Sequence, residues 1–353
     1  MPRVIADLHI HSRYSRATSA QITVEELAKW GRIKGLTLIG TGDFTHPKWG
    51  EELKESLEEV SGTDLYAPMN LPDSKVWFMI TGEVCTVFEH GGKTKKVHHL
   101  LLTPSLEDAE LVKEALSIYG DLGADGRPTL KTSASEAVEK ILDASPRTIV
   151  IPAHVWTPWF SLFGDKSGFD RLEDCYGDMI SRIFALETGL SSDPPMNWRL
   201  SVLDKYALVS NSDSHSFWPW RLGREANILD LPKVTYEEVV EALMAKDPKQ
   251  FRATIEVEPA YGKYHWTGHR ACGVSMPPEE AIGFGNVCPK CGKPLTIGVD
   301  QRVVELADRP KGSKPEGVIG FVHLLPLHEV IAAVLGTSNL SGKEVWSVYN
   351  PVS

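Results

Sequence analysis

Between Val4 and Ala245 the chain alternates short apolar, β-prone runs with amphipathic segments that open on helix-capping residues. Val4–Leu8, Leu36–Thr41, Val76–Ile80, Val97–Leu102, Ile149–Ile151, Phe184–Leu186 and Ala207–Ser210 read as buried strands. Thr23 with Glu26 forms a capping box for a helix to about Lys34, and a second helix is predicted over Glu51–Val60. Ser105–Ala115, Ser133–Ala144 and Thr235–Ala245 each begin with Ser or Thr followed three residues later by an acid. Such alternation predicts a parallel sheet, most economically closed as a (β/α) barrel. At 353 residues the chain exceeds one minimal core, so the predicted division is a barrel over 1–250, a small metal-binding unit over 251–312 and a helical segment over 313–353.

The formal charge of −10 argues against a general nucleic-acid binder, although divalent ions held in an acidic site would invert the local field. No apolar run is long enough to span a bilayer, and MPRVIADL runs straight into a strand with no leader, which predicts a cytoplasmic protein. Five cysteines, an odd number with CPKC as one cluster, suit metal binding in a reducing compartment better than disulfides.

His9 and His11, two apart behind the first strand, project to one face. Asp43, Glu83, His154, Glu187, Asp213 and His215 follow or end later strands, and His98 and His99 lie within Val97–Leu102. In a barrel these positions share the rim where active sites are built. Taken singly, each is equally a satisfied core histidine or a capping acid; their recurrence in successive units is what argues for a shared metal site. Such an imidazole-rich set suits zinc or manganese better than magnesium. No G-x-x-x-x-G-K-[ST] loop is present, so nucleotide-driven work is not indicated.

A second cluster, His269, Cys272, Cys288 and Cys291, has the HxxC…CxxC spacing of a closed tetrahedral structural zinc, with His265 as the alternative to His269. Cys85 and Cys175 read as core thiols, and His323 and His328, beside the amphipathic helix PLHEVIAAVLG, as structural.

DLHIHS, TGDF, GEV, the Ala153-His154 pair and SDSH together resemble the motifs of the PHP (polymerase and histidinol phosphatase) superfamily. The resemblance implies a distorted (βα)7 barrel with two or three divalent metals, zinc, manganese or magnesium, and the ligand set His9, His11, Asp43, Glu83, His99, His154, Asp213 and His215. Asp43 stands where an imidazole is usual, with His46 as the alternative; His99 is chosen over His98 because it directly precedes LLL. Tyr14, Ser15 and Arg16 stand where a further histidine is common, leaving a third metal position one ligand short. Glu83, Asp213 and His215 are the implied catalytic group, with Glu83 bridging two ions about 3.5–4 Å apart and no protein nucleophile required.

RYSRATS, GTGDFTHP, KVHHLLL, PAHVWTPWFS, LETGLSSDPPMNWR, SNSDSH and the HxxC…CPKC unit resemble the endonuclease Q family over nearly the whole chain. That resemblance implies a DNA-repair endonuclease cutting 5′ to uracil, hypoxanthine, xanthine and abasic sites and leaving a 3′-hydroxyl. Its partners would be damaged DNA and other repair or replication proteins, in the cytoplasm at the nucleoid and away from membranes. A pocket reading deaminated bases is placed on the Leu190–Arg199 loop, at Ser191, Ser192, Asn197 and Arg199. Trp156, Trp159 and Trp218 are the candidate stacking residues, against the alternative that they pack the rim. Lys93, Lys95, Lys96, Arg199, Arg221 and Arg224 would meet phosphates or remain solvated. Two other classes stay open: a small-molecule phosphatase of the histidinol phosphate type, and a non-catalytic DNA-binding module.

Overall fold

The computed structural model describes residues 1–352. The first strand, Arg3–Asp7, lies inside an eleven-stranded sheet, parallel to Leu38–Gly40 on one side and antiparallel to Ala226–Asp230 on the other. Leu38–Gly40 pairs in parallel with Trp77–His90, and Ala226–Asp230 pairs antiparallel with Phe251–Glu256, whose outer neighbour is Gly320–His323. Successive residues face opposite layers. Ile39 and Phe78 enter the larger apolar core, while Leu38 and Met79 enter a second core on the other face, with Val4, Leu100 and Ile151. Burial on both faces is why these strands read as unbroken apolar runs.

Trp77–His90 is 14 residues long and folds back through Gly91–Gly92 onto Lys93–Thr103 as an antiparallel hairpin. Both glycines have positive φ, 56° and 72°, the conformation a two-residue hairpin turn demands. The closed (βα)7 barrel is thereby corrected. What reads as two strands joined by a crossover is one hairpin, and the sheet is mixed. Ala185–Glu187 and Ala207–Val209 form a separate parallel pair, and among the described residues the strands do not close into a barrel.

The predicted caps form: Thr23, Ser105, Ser133 and Thr235 accept the backbone N–H of Glu26, Asp108, Glu136 and Glu238. The Glu51–Val60 helix shifts. It occupies Pro47–Ser56, with proline at its first turn, and Leu57–Val60 is a strand paired with Leu65–Pro68. Beyond Glu256 come a small core around Met276, Cys288 and Leu295 and another joining Ile331, Val345 and Tyr349. Among the described residues no helix is long and apolar enough to cross a membrane.

Candidate metal centre

Asp7, at the end of the first strand, is fully buried and accepts the N–H groups of Ser212 (3.0 Å) and Gly223 (2.8 Å). The Leu8 N–H donates to Asn211 Oδ1 at 2.9 Å and the His11 N–H to the Ser214 carbonyl at 2.8 Å. These bonds clamp SNSDSH against DLHIHS although some two hundred residues separate them, and they bring Asp213 Oδ1 to 2.9 Å from His11 Nε2.

Glu83, in the middle of its strand rather than after it, is the hub. Its Oε1 lies 2.7 Å from His98 Nδ1 and 3.0 Å from His154 Nε2, and its Oε2 lies 3.5 Å from His11 Nε2. Three ligand groups overlap there, His9–His11–Glu83, His11–Asp213–His215 and Glu83–His98–His154, each with its donor atoms within 4.8 Å of one another. His9 Nε2 and Glu83 Oε2 are both buried without a hydrogen-bond partner. An imidazole nitrogen left without a partner among three overlapping groups of donors is costly unless a cation satisfies it, so the residues fit divalent ions.

Behind the cluster, Glu187 meets His9 Nδ1 and also accepts the His154 N–H (2.8 Å) and Asn211 Nδ2 (2.9 Å). Holding Nδ1–H fixes the tautomer and aims Nε2 at the site. Burial opposes charge on Glu83, but His98 and His9 hold it well below the usual carboxylate range. Burial likewise pushes His9 down, and Glu187 and Glu83 outweigh it, carrying His9 well above its ordinary value. His11, buried but beside Asp43 and Asp213, rises to about 9.

Asp43 is corrected as a ligand. Its Oδ1 takes His11 Nδ1 (3.0 Å), and its Oδ2 takes the Ser12 N–H (2.6 Å), Ser12 Oγ (2.7 Å) and Ser15 Oγ (2.9 Å), so it orients His11 from behind. The alternative, His46, stacks on Tyr14 with ring centroids 4.4 Å apart and stands outside the cluster. His99 is corrected too. Register pairs Glu83 with Leu100, so His98 shares their face and His99 turns away, with Nε2 2.9 Å from Thr86 Oγ1 and Nδ1 3.1 Å from Tyr176 OH. Asp43, His154 and Asp213 all have positive φ, 49°, 30° and 46°.

A cavity of about 720 Å³ opens above the cluster. His98, His154, Asp213 and His215 line it, as do Trp159, Ser191, Arg221, Tyr261 and Tyr264. Trp159 is 42% exposed there, but Trp156 is 1% exposed and donates to Asn197 Oδ1 at 2.8 Å, so it is core. Trp218 is half-buried and stacks on Trp220, which corrects it as a free stacking surface. Of the expected base pocket only Ser191 borders the cavity. The Ser192 hydroxyl is spent on the Thr188 carbonyl and Asn197 on Ser192, Asp193 and Trp156, while the Arg199 carbonyl holds the Asp308 and Arg309 N–H groups. Arg224 lines the cavity while donating to the Ser212 carbonyl. Lys95 is taken up by the Gly168 carbonyl and Lys93 stays exposed. Sequence reasoning missed several cavity residues, among them Tyr261, Tyr264 and Arg127, the last in a loop with no periodic pattern.

The second cluster assembles with its four donor atoms within 4.8 Å of one another; His269 Nδ1 lies 3.3 Å from Cys291 Sγ, and His265 is not part of it. The Gly292 N–H closes the CPKC turn on the Cys288 carbonyl at 2.9 Å.

No family model matches the chain. The crystal structure of the lesion-specific endonuclease PfuEndoQ from Pyrococcus furiosus is 34% identical, with a TM-score of 0.86, over 99% of this chain and 82% of that one. Endonuclease Q in complex with a 27-mer duplex bearing an abasic lesion at the active site is also 34% identical, with a TM-score of 0.87, over 99% and 83% of the two chains. The uncharacterized protein YqxK of Bacillus subtilis is 29% identical over 342 residues, 94% of this chain and 83% of that protein.

Proposed function

Because the chain belongs to the endonuclease Q family, we propose that it hydrolyses DNA at damaged nucleotides, cutting 5′ to uracil, hypoxanthine, xanthine and abasic sites and leaving a 3′-hydroxyl. It is a phosphodiester hydrolase. The observation that carries the chemistry is the buried Glu83 hub, with the unpartnered His9 Nε2 3.7 Å from its Oε1.

His9, His11, Glu83, His98, His154, Asp213 and His215 would hold the ions, with zinc or manganese suited to so many imidazoles. Divalent ions bound there acidify water and neutralise charge developing on the phosphoryl oxygens. Glu187 and Asp43 keep His9 and His11 aimed, so the donor atoms need no rearrangement during the reaction. In the hydrolysis a water oxygen bonds to phosphorus, the P–O3′ bond breaks, and O3′ leaves with a proton. The cavity is large enough to receive an extrahelical nucleotide, and a deaminated base, already mispaired, costs less to flip. Deamination replaces an amino donor by a carbonyl acceptor, which the Ser191 hydroxyl at the wall can address. His269, Cys272, Cys288 and Cys291 would hold one structural zinc. Association with the nucleoid and with repair or replication proteins belongs to the same proposal, as does the division into residues 1–250, 251–312 and 313–353.

The test is nicking of duplexes carrying one uracil, hypoxanthine or abasic site, with manganese and with EDTA. We expect a single nick 5′ to the lesion, abolished by EDTA and by Asp213→Asn. Phosphate release from histidinol phosphate without nicking would replace this reading with a small-molecule phosphatase, and full activity of Asp213→Asn would exclude the metal mechanism.

A further inference from the structure

The segment Asp121-Leu-Gly-Ala-Asp-Gly-Arg127 is pinned at several points. Asp125 accepts the Arg127 N–H at 3.1 Å and pairs with Arg16 Nε at 3.2 Å, and the Gly126 N–H donates to the Tyr14 carbonyl at 3.1 Å. A Cβ on Gly126 would sit 2.2 Å from Asp43 Oδ2 and 2.4 Å from Ser15 Oγ. Only glycine lets the loop press this closely against the residue that orients His11, and the next side chain is thereby delivered over the metal cluster.

That side chain is Arg127, 22% exposed, with Nε 3.5 Å from Glu83 Oε2. Glu83 is its one ion-pair partner among the described residues, and it lines the cavity with His98, His154 and Asp213. A guanidinium carries five N–H donors, and beyond the pairing with Glu83 those of Arg127 have no hydrogen-bond partner among the described residues. A permanent positive charge among ligands for cations opposes their binding, and is useful only if a substrate anion meets it. A phosphodiester offers two non-bridging oxygens, which a guanidinium matches in bidentate fashion.

We infer that Arg127 is a catalytic residue that grips the non-bridging oxygens of the scissile phosphate and stabilises the charge that builds there. This rests on the phosphodiesterase reading above. The full-length protein and its Arg127→Ala and Arg127→Lys variants are compared on a uracil duplex that the wild type cuts, with bound metal measured by plasma mass spectrometry. Arg127→Ala is expected to lower kcat by about 10²–10³-fold at unchanged metal content and melting temperature. Lysine, a point charge, recovers only part, and added guanidinium ion restores Arg127→Ala where urea does not. On a duplex whose scissile phosphate is a neutral methylphosphonate, wild type and Arg127→Ala converge. Wild-type rates in Arg127→Ala would overturn the inference, as would an activity loss that tracks lost metal and ignores guanidinium. A wild type inert toward every lesion duplex would overturn the functional reading and this one together.

Discussion

Glu187 receives the Nδ1 of His9 on both carboxylate oxygens, each at 3.0 Å. The same carboxylate holds the His154 backbone, so one side chain positions two candidate ligands that follow separate strands. Glu187→Gln turns an amide NH2 toward at least one of these donors. It should weaken metal affinity by about 10–100-fold, read by chelator competition, with nicking recovering at saturating metal. Unchanged affinity would remove Glu187 from that role.

His98 and His99 separate site from scaffold. His98→Ala should lose bound metal and nicking together. Burial drives the His99 imidazole down to about 3, so it is a neutral core group bonded to Thr86 and Tyr176. His99→Ala empties a packed site and takes the His99 partner from the Tyr176 hydroxyl at roughly 1–3 kcal/mol, while Thr86 keeps the Val97 carbonyl, and it lowers the melting temperature by several degrees at normal metal content. The reverse pattern in plasma mass spectrometry and calorimetry would refute the assignment.

Trp159 and Trp156 make a second such pair. Trp159→Ala should weaken binding of lesion DNA by about 1–3 kcal/mol in fluorescence anisotropy and leave stability alone. Trp156→Ala should cost about 3–5 kcal/mol of stability, because it empties a packed site and frees Asn197. A stable Trp156→Ala protein would contradict its burial.

The Cys288 thiol gives a pH dependence. Burial pushes it up, but the Lys290 and Cys291 N–H groups and His269 bring it down to about 6 from 9.0. The unfolded chain therefore binds the extra proton between those values, and the thiolate's contribution to stability is complete above about pH 9 and is lost as pH falls through about 6. Bound zinc should leave over the same acid limb, since protons compete for sulfur. Trp266 fluorescence in metal-free protein should report an unfolding midpoint that falls between pH 8 and pH 5, and Cys288→Ser should flatten that fall. A Cys288→Ser protein retaining the wild-type slope would count against the assignment.

Much of this was legible in the sequence because it is local. Thr23, Ser105, Ser133 and Thr235 announce their helices within three residues, and the spacing of CPKC with His269 and Cys272 announces a cluster of four donor atoms. What failed depends on distant geometry. Gly91–Gly92 makes a hairpin, and only its register tells that His98 rather than His99 shares a face with Glu83. Asp43 looks like a ligand until the hydrogen bonds from His11, Ser12 and Ser15 are counted. A tryptophan's identity does not say whether it points in, as Trp156 does, or out, as Trp159 does. Arg127 carries no sequence signal because its placement comes from a glycine's fit against Asp43.

Asp43, His154 and Asp213 hold their backbones in the left-handed region, at roughly 1–2 kcal/mol apiece relative to glycine. Glycine at those three positions would relieve that strain, but at Asp43 it would also strand the buried donors of His11, Ser12 and Ser15, a larger loss at about 1–3 kcal/mol each. The strained backbone is therefore held in place by the same side chains that build the site, and relaxing it gives up both the fold's local hold and the chemistry.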